Sequence, residues 1–146
     1  TRTCFRGTFA RDEIALQKAG PGLYVVNTAP RSSPGEHWTL FHISNDRSIS
    51  YFDSYGMRPL YKEFYKFIHP ASSFHYNRKR LQGYGSATCG LYCLYVGSLL
   101  CCGFLLEECT RRFSHTNFKL NDRLIAILVR KQIPRKTDNM SCCSVL

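Results

Sequence analysis

Residues 89–106 carry no formal charge, and a glycine-rich turn over residues 83–88 leads into them. A charge-free run of eighteen residues belongs either in a bilayer or at the centre of a protein core. Gly90, Gly97 and Gly103 interrupt this one, cysteines are frequent in it, and it lies mid-chain. It therefore reads as a buried central helix that opens near Cys89, not as a membrane span. Such a helix must be wrapped by the rest of the chain. The 146 residues suffice for one domain built around it.

The wrapping elements follow from periodicity. Residues 9–19 suit a helix, with Asp12 and Glu13 in its first turn and Gly20-Pro21-Gly22 ending it. Residues 23–27 read as a strand, and residues 29–35 as a loop rich in Pro and Ser. Residues 38–43 and 48–52 read as two strands joined by a turn at Ser44–Arg47. Pro59 can open a helix whose apolar stripe is Leu60, Phe64, Phe67 and Ile68, stopping at Pro70. Residues 74–82 read as a further strand. Asn121 is placed to cap a last helix with Leu124, Ile125, Leu128 and Val129 on its inner side. The fold class is α+β, a small central mixed sheet flanked by helices. Residues 1–133 form the single domain, and residues 134–146 a polar, flexible tail.

The formal charge is +10, with +3 on residues 1–74 and +7 on residues 75–146. With 44% hydrophobic residues, this is no disordered basic tail. Arg78, Lys79, Arg80, Arg111 and Arg112 are the candidate nucleic-acid contacts, since nonspecific DNA binding needs only clustered positive charge. The eight cysteines show neither C-x-x-C pairs nor a secreted disulfide spacing, so no metal site is assigned. They imply a reducing intracellular compartment. Cys93, Cys101, Cys102 and Cys109 read as buried or half-buried thiols, and Cys4 carries no signal. His42, His69, His75 and His115 read as surface or packing residues. The last four residues, from Cys143, fit a loose prenylation pattern.

One set of residues carries chemistry. If the hairpin turn centres near Asp46, Asp53 pairs with Thr39, and His37 is its diagonal neighbour on the same face. That places them within roughly 7–8 Å, Cα to Cα. Cys89 sits where a helix begins, and the positive end of the helix dipole favours a thiolate there. Cys, His and Asp are the groups acyl transfer needs: a thiolate nucleophile, an imidazolium to protonate the leaving amine, and a carboxylate to hold the ring. Gln82, seven residues before Cys89, is a suitable oxyanion donor beside the Cys89 backbone N–H.

Gly35-Glu36-His37-Trp38, Tyr51-Phe52-Asp53-Ser54-Tyr55-Gly56, Leu81-Gln82-Gly83 and Thr88-Cys89-Gly90-Leu91-Tyr92-Cys93 occur in this order. Together they resemble the adenovirus-type cysteine endopeptidases (the adenain family) and the related ubiquitin-like-protein proteases. Val25-Val26-Asn27-Thr28-Ala29 points to the adenain side. The resemblance implies an adenain-like fold with His37 as general base and acid, Asp53 as orienting carboxylate and Cys89 as nucleophile. It further implies Gln82 in the oxyanion hole and Trp38 beside a substrate groove that admits small residues, often glycine, near the cut. Adenain has a glutamate where this chain has Asp53. Residues 70–82 contain no Cys, so the resemblance does not extend to a peptide activator disulfide-linked there.

These readings converge on a cysteine endopeptidase, viral or virus-derived, that processes precursor or capsid proteins. It would be a monomer with no membrane partner, acting in the virion and the host nucleus. No cofactor is required, although stimulation by DNA or an activating peptide fits the resemblance. Two rivals are a deconjugating protease for ubiquitin-like modifiers and a catalytically silent, basic nucleic-acid-binding protein.

Overall fold

Alternation of apolar residues on both faces of the central strands sets the architecture. In the computed structural model, which describes residues 4–69 and 71–132, a five-stranded mixed sheet lies between two layers of helix. The strands are β1 (Phe5–Phe9), β2 (Gly22–Asn27), β3 (Trp38–Ile43), β4 (Ser48–Phe52) and β5 (Ser73–Tyr76). They lie side by side in chain order. The outer pairs, β1 with β2 and β4 with β5, are parallel, and the inner pairs are antiparallel.

Leu23, Val25, Leu40 and Phe52 point to one face. They meet Tyr92, Val96 and Leu100 of α3 (Cys89–Cys101), Cys109 of α4 (Leu106–Thr110), and Ile125 and Val129 of α5 (Phe118–Gln132). Tyr24, Val26, Phe41, Ile43, Ile49 and Tyr51 point to the other face, against Ile14 of α1 (Arg11–Ile14) and Phe64 and Phe67 of α2 (Lys62–Ile68). Burial on both faces makes β2 continuously buried, not alternating. The second core is aromatic: Phe41 meets Phe64 and Phe67 edge-on at 5.4 and 5.5 Å.

The charge-free stretch is central, as its composition predicts, but shorter. The helix α3 ends at Cys101, because Gly103 takes φ +90° and turns the chain into α4. It also packs closer to the sheet than a bulkier residue would permit. A Cβ on Gly97 would lie 2.7 Å from Leu23 Cδ2. Among the described residues, no helix is long and apolar enough to cross a membrane.

Several boundaries differ from expectation. Residues 5–9 form strand β1, in which a register shift between Phe5 and Gly7 lets Phe5 pack on the α3 side of the sheet and Phe9 on the α2 side. The helix expected over 9–19 shrinks to α1 (Arg11–Ile14), with Ala10 N–H bonded to Glu13 Oε2 at 2.8 Å. Leu60 lies before α2 and is exposed. The strand expected over 74–82 stops at Tyr76, because Asn77 turns inward to the backbone of Asp53. Asn121 is no cap. It is buried inside α5 and donates to the carbonyls of Leu81 and Ser114, while Asn117 Oδ1 accepts from Leu120 N–H. Cys101 is no thiol: it is bonded to Cys4, 97 residues away. Cys93 and Cys109 are buried as expected, whereas Cys102 is exposed. The tail over 134–146, with Cys143, lies outside the described residues.

Candidate functional site

The β3–β4 register brings the first two groups together. Leu40 pairs with Phe52 and Phe41 with Tyr51, so the next step along places Asp53 beside Thr39 at the end of the hairpin. His37, just before β3, reaches back across this end, and its Nε2 lies 2.9 Å from Asp53 Oδ1. Both side chains are largely buried, 16% exposed for His37 and 8% for Asp53.

Neighbours hold each group in place. Asp53 Oδ1 also accepts from Tyr55 N–H at 2.8 Å. Asn77 brackets the Asp53 backbone, its Oδ1 accepting from Asp53 N–H at 3.0 Å and its Nδ2 donating to Asp53 O at 2.6 Å. The turn beyond closes at Gly56, whose φ is +72°. A Cβ there would also lie 2.6 Å from the Lys79 carbonyl carbon, so glycine is required. His37 O accepts from Thr28 N–H at 2.8 Å, and the His37 ring stacks on Tyr55 with centroids 4.8 Å apart.

Cys89 is the first residue of α3, on the rim of the same hairpin end. Asp122 of α5 ties this rim together. Its carboxylate accepts from Gly83 N–H at 3.1 Å, Thr88 Oγ1 at 2.9 Å and the Tyr92 hydroxyl at 3.1 Å. One side chain thus fixes the glycine-rich turn and the first turn of α3 against α5.

The electrostatics follow from these contacts. Burial alone would push the Cys89 thiol up. A hydrogen bond with His37, the N–H groups of Trp38 and Gly90, and the His37 charge outweigh it and hold the thiol below its usual range. Burial alone would lower His37, but hydrogen bonds to Asp53 and Cys89 and their charges raise it to about 9. With Nε2 engaged by Asp53, Nδ1 is left for the thiol. Each group therefore favours the charged form of the other, which biases the pair towards thiolate and imidazolium. This arrangement can attack an electrophilic carbonyl and then give a proton to a leaving group.

Gln82 lies in irregular chain, not at a strand end, and is 1% exposed. Its Oε1 accepts from Ser54 Oγ, and its Nε2 donates to Ser86 O at 2.7 Å, which leaves one N–H of the amide. Trp38 is half-buried and lines a cleft of about 290 Å³ with Thr8, Asn27, Ala29, Ser33 and Gly35.

The five basic candidates separate. Arg78, Lys79 and Arg111 line a different cleft of about 360 Å³ between β5 and α4, together with His75 and His115. Arg80 is spent on aromatic rings, 3.8 Å from Tyr84 and 3.7 Å from Phe118, and Arg112 lies 5.9 Å from Tyr95. Asn77, Asp122 and Tyr55 are site residues that the sequence reading did not single out. Tyr55 stood inside a quoted motif. Asn77 and Asp122 had no signal, because their partners lie 24 to 39 residues away.

No family model and no curated protein matches the chain. Solved structures do. The ASFV pS273R protease superposes with a TM-score of 0.51 at 19% identity, covering 73% of this chain and 42% of that protease. Its selenomethionine form gives 0.49 at 20% identity, covering 70% and 43%. The chain thus spans less than half the length of that protease, and it shares with it the fold of a mixed five-stranded sheet between helices.

Proposed function

We propose that the protein is a cysteine endopeptidase acting through Cys89, His37 and Asp53. The observation that carries the reading is His37 Nε2 held 2.9 Å from Asp53 Oδ1, with Cys89 near enough to the same ring for the thiol to be lowered by it. The fold shared with a protease supports it. Cys89 Sγ attacks the scissile carbonyl, and the carbonyl oxygen becomes an oxyanion received by the Cys89 N–H and the remaining Gln82 N–H. His37 Nδ1 then protonates the leaving amine, giving an acyl-enzyme. Neutral His37 next takes a proton from water, whose oxygen attacks the thioester; the acyl product leaves as its carboxylic acid, and Cys89 thiolate and His37 imidazolium are restored. Asp53 holds the ring and favours its charged form throughout.

The cleft beside Trp38 mixes small residues, Thr8, Ala29, Ser33 and Gly35, with Phe9 and Arg31, and we assign it to an extended substrate chain. Precursor proteins of a virus or a virus-derived element are the substrate class this reading favours. DNA is a secondary partner, supported by the grouping of Arg78, Lys79 and Arg111 on one cleft. Cleavage of a glycine-containing peptide library by wild type and Cys89→Ala tests the proposal. Turnover by wild type alone is expected; equal background in both overturns it. A vinyl-sulfone probe with a ubiquitin-like tail that labels Cys89 would reassign the substrate to modifier conjugates.

A further inference from the structure

Away from the Cys89 site, a second constellation lies at the opposite end of α3. Cys4 Sγ, Cys101 Sγ and an imidazole nitrogen of His42 all lie within 4.8 Å of one another. No spacing in the sequence foretells this, because three separate elements deliver the groups. Cys4 leads into β1, and its carbonyl accepts from Leu23 N–H at 2.9 Å. Leu23 in turn pairs with His42 across β2 and β3. Paired residues share a face, so His42 projects to the α3 side of the sheet with Leu23. Gly97 brings α3 down onto Leu23, and Cys101, four residues on, lies on the same helix face. The cysteines are joined as a disulfide with Cα atoms 5.9 Å apart.

We propose that Cys4, Cys101 and His42 form, when the disulfide is reduced, a zinc-type metal site with two thiolate ligands and one imidazole. Sulfur and nitrogen donors without a carboxylate suit a borderline-soft divalent ion such as Zn²⁺. Three protein ligands leave a fourth position for water. The site lies at the C-terminal end of α3, where the helix dipole favours a cation. All three residues are half-buried, so an ion can reach them from solvent.

The two states exclude each other, because both use the same sulfurs. A dithiol reductant delivers two electrons and two protons to the Cys4–Cys101 bond. The bond opens to two thiols, and the reductant closes to its own disulfide. The metal then displaces the two thiol protons. Either state ties the edge strand β1 to the far end of the helix that begins at Cys89.

Cobalt binding tests this without reference to proteolysis. The Cys89→Ala protein removes the other thiolate–imidazole pair and is reduced, desalted anaerobically and titrated with Co²⁺. Expected are one equivalent bound, a thiolate-to-cobalt charge-transfer band with tetrahedral d–d bands, and their loss on adding Zn²⁺. Cys4→Ser and Cys101→Ser should each abolish the bands, His42→Gln should weaken binding, and oxidised protein should show none. Peptide mapping avoids dependence on variants: Zn²⁺ should shield Cys4 and Cys101 of the reduced Cys89→Ala protein from iodoacetamide. Absence of bands and of shielding, or bands that survive in both serine variants, would overturn the site.

Discussion

Replacing Asp53 with Asn removes a charge from His37 while retaining a side chain of the same shape. His37 rises from its ordinary 6.5 to about 9 against the opposing effect of burial. That displacement corresponds to roughly 3 kcal/mol in favour of the imidazolium. Asp53 and Cys89 share it, each through a hydrogen bond and a charge. Assigning about half to Asp53 gives about 1–2 kcal/mol, or roughly a 5- to 30-fold fall in the thiolate–imidazolium population near neutral pH. The assay needs no substrate: the rate of Cys89 alkylation by iodoacetamide is followed from acid to alkaline pH and read by peptide mass spectrometry. Peptide-level reading separates Cys89 from exposed Cys102. In wild type the thiolate persists below the ordinary thiol range, and a second inflection appears near pH 9 as the imidazolium loses its proton. In Asp53→Asn this upper inflection should fall towards 6.5 and the lower one should rise. Superimposable profiles for the two proteins would refute the reasoning.

Further expectations rest on neighbouring contacts. Gln82→Ala should lower kcat roughly 10²–10³-fold with little change in KM, if the amide is one of two oxyanion donors; steady-state kinetics on a cleaved library peptide reads this split. Asp122→Ala strips Gly83 N–H of its acceptor and removes one partner each from Thr88 Oγ1 and the Tyr92 hydroxyl, which keep Ser86 Oγ and Leu81 O; this should cost about 1–3 kcal/mol in urea unfolding and slow Cys89 alkylation. Asp122→Asn should recover part of both. Gly97→Ala drives a Cβ to 2.7 Å from Leu23 Cδ2 and should destabilise by about 1–3 kcal/mol in thermal unfolding, with the α3–sheet spacing forced apart.

What could be read from the sequence was whatever is local or periodic. The strands β2, β3 and β4 follow from short runs of β-forming residues, and the turn at Ser44–Arg47 sets the register that carries Asp53 to His37. The apolar spacing of Phe64 with Phe67 and of Ile125 with Val129 gives the inner faces of α2 and α5. What escaped depends on distant partners. Phe9 resembles a helix start until β2 is there to pair with it, and Asn121 resembles a cap until Leu81 O is packed against it. Cys4 and Cys101 are joined only because β1 and the end of α3 converge. Asp122 becomes part of the site only when α5 docks beside the glycine-rich turn.

The central claim is that Cys89 becomes acylated with His37 as the proton donor. Intact mass spectrometry after acid quench, following brief mixing with an activated glycyl ester, measures this step directly. The account predicts one acyl group on wild type, located to Cys89, absent from Cys89→Ala and strongly reduced in His37→Ala. A folded wild-type protein whose Cys89 alkylates readily yet never carries an acyl group would contradict it.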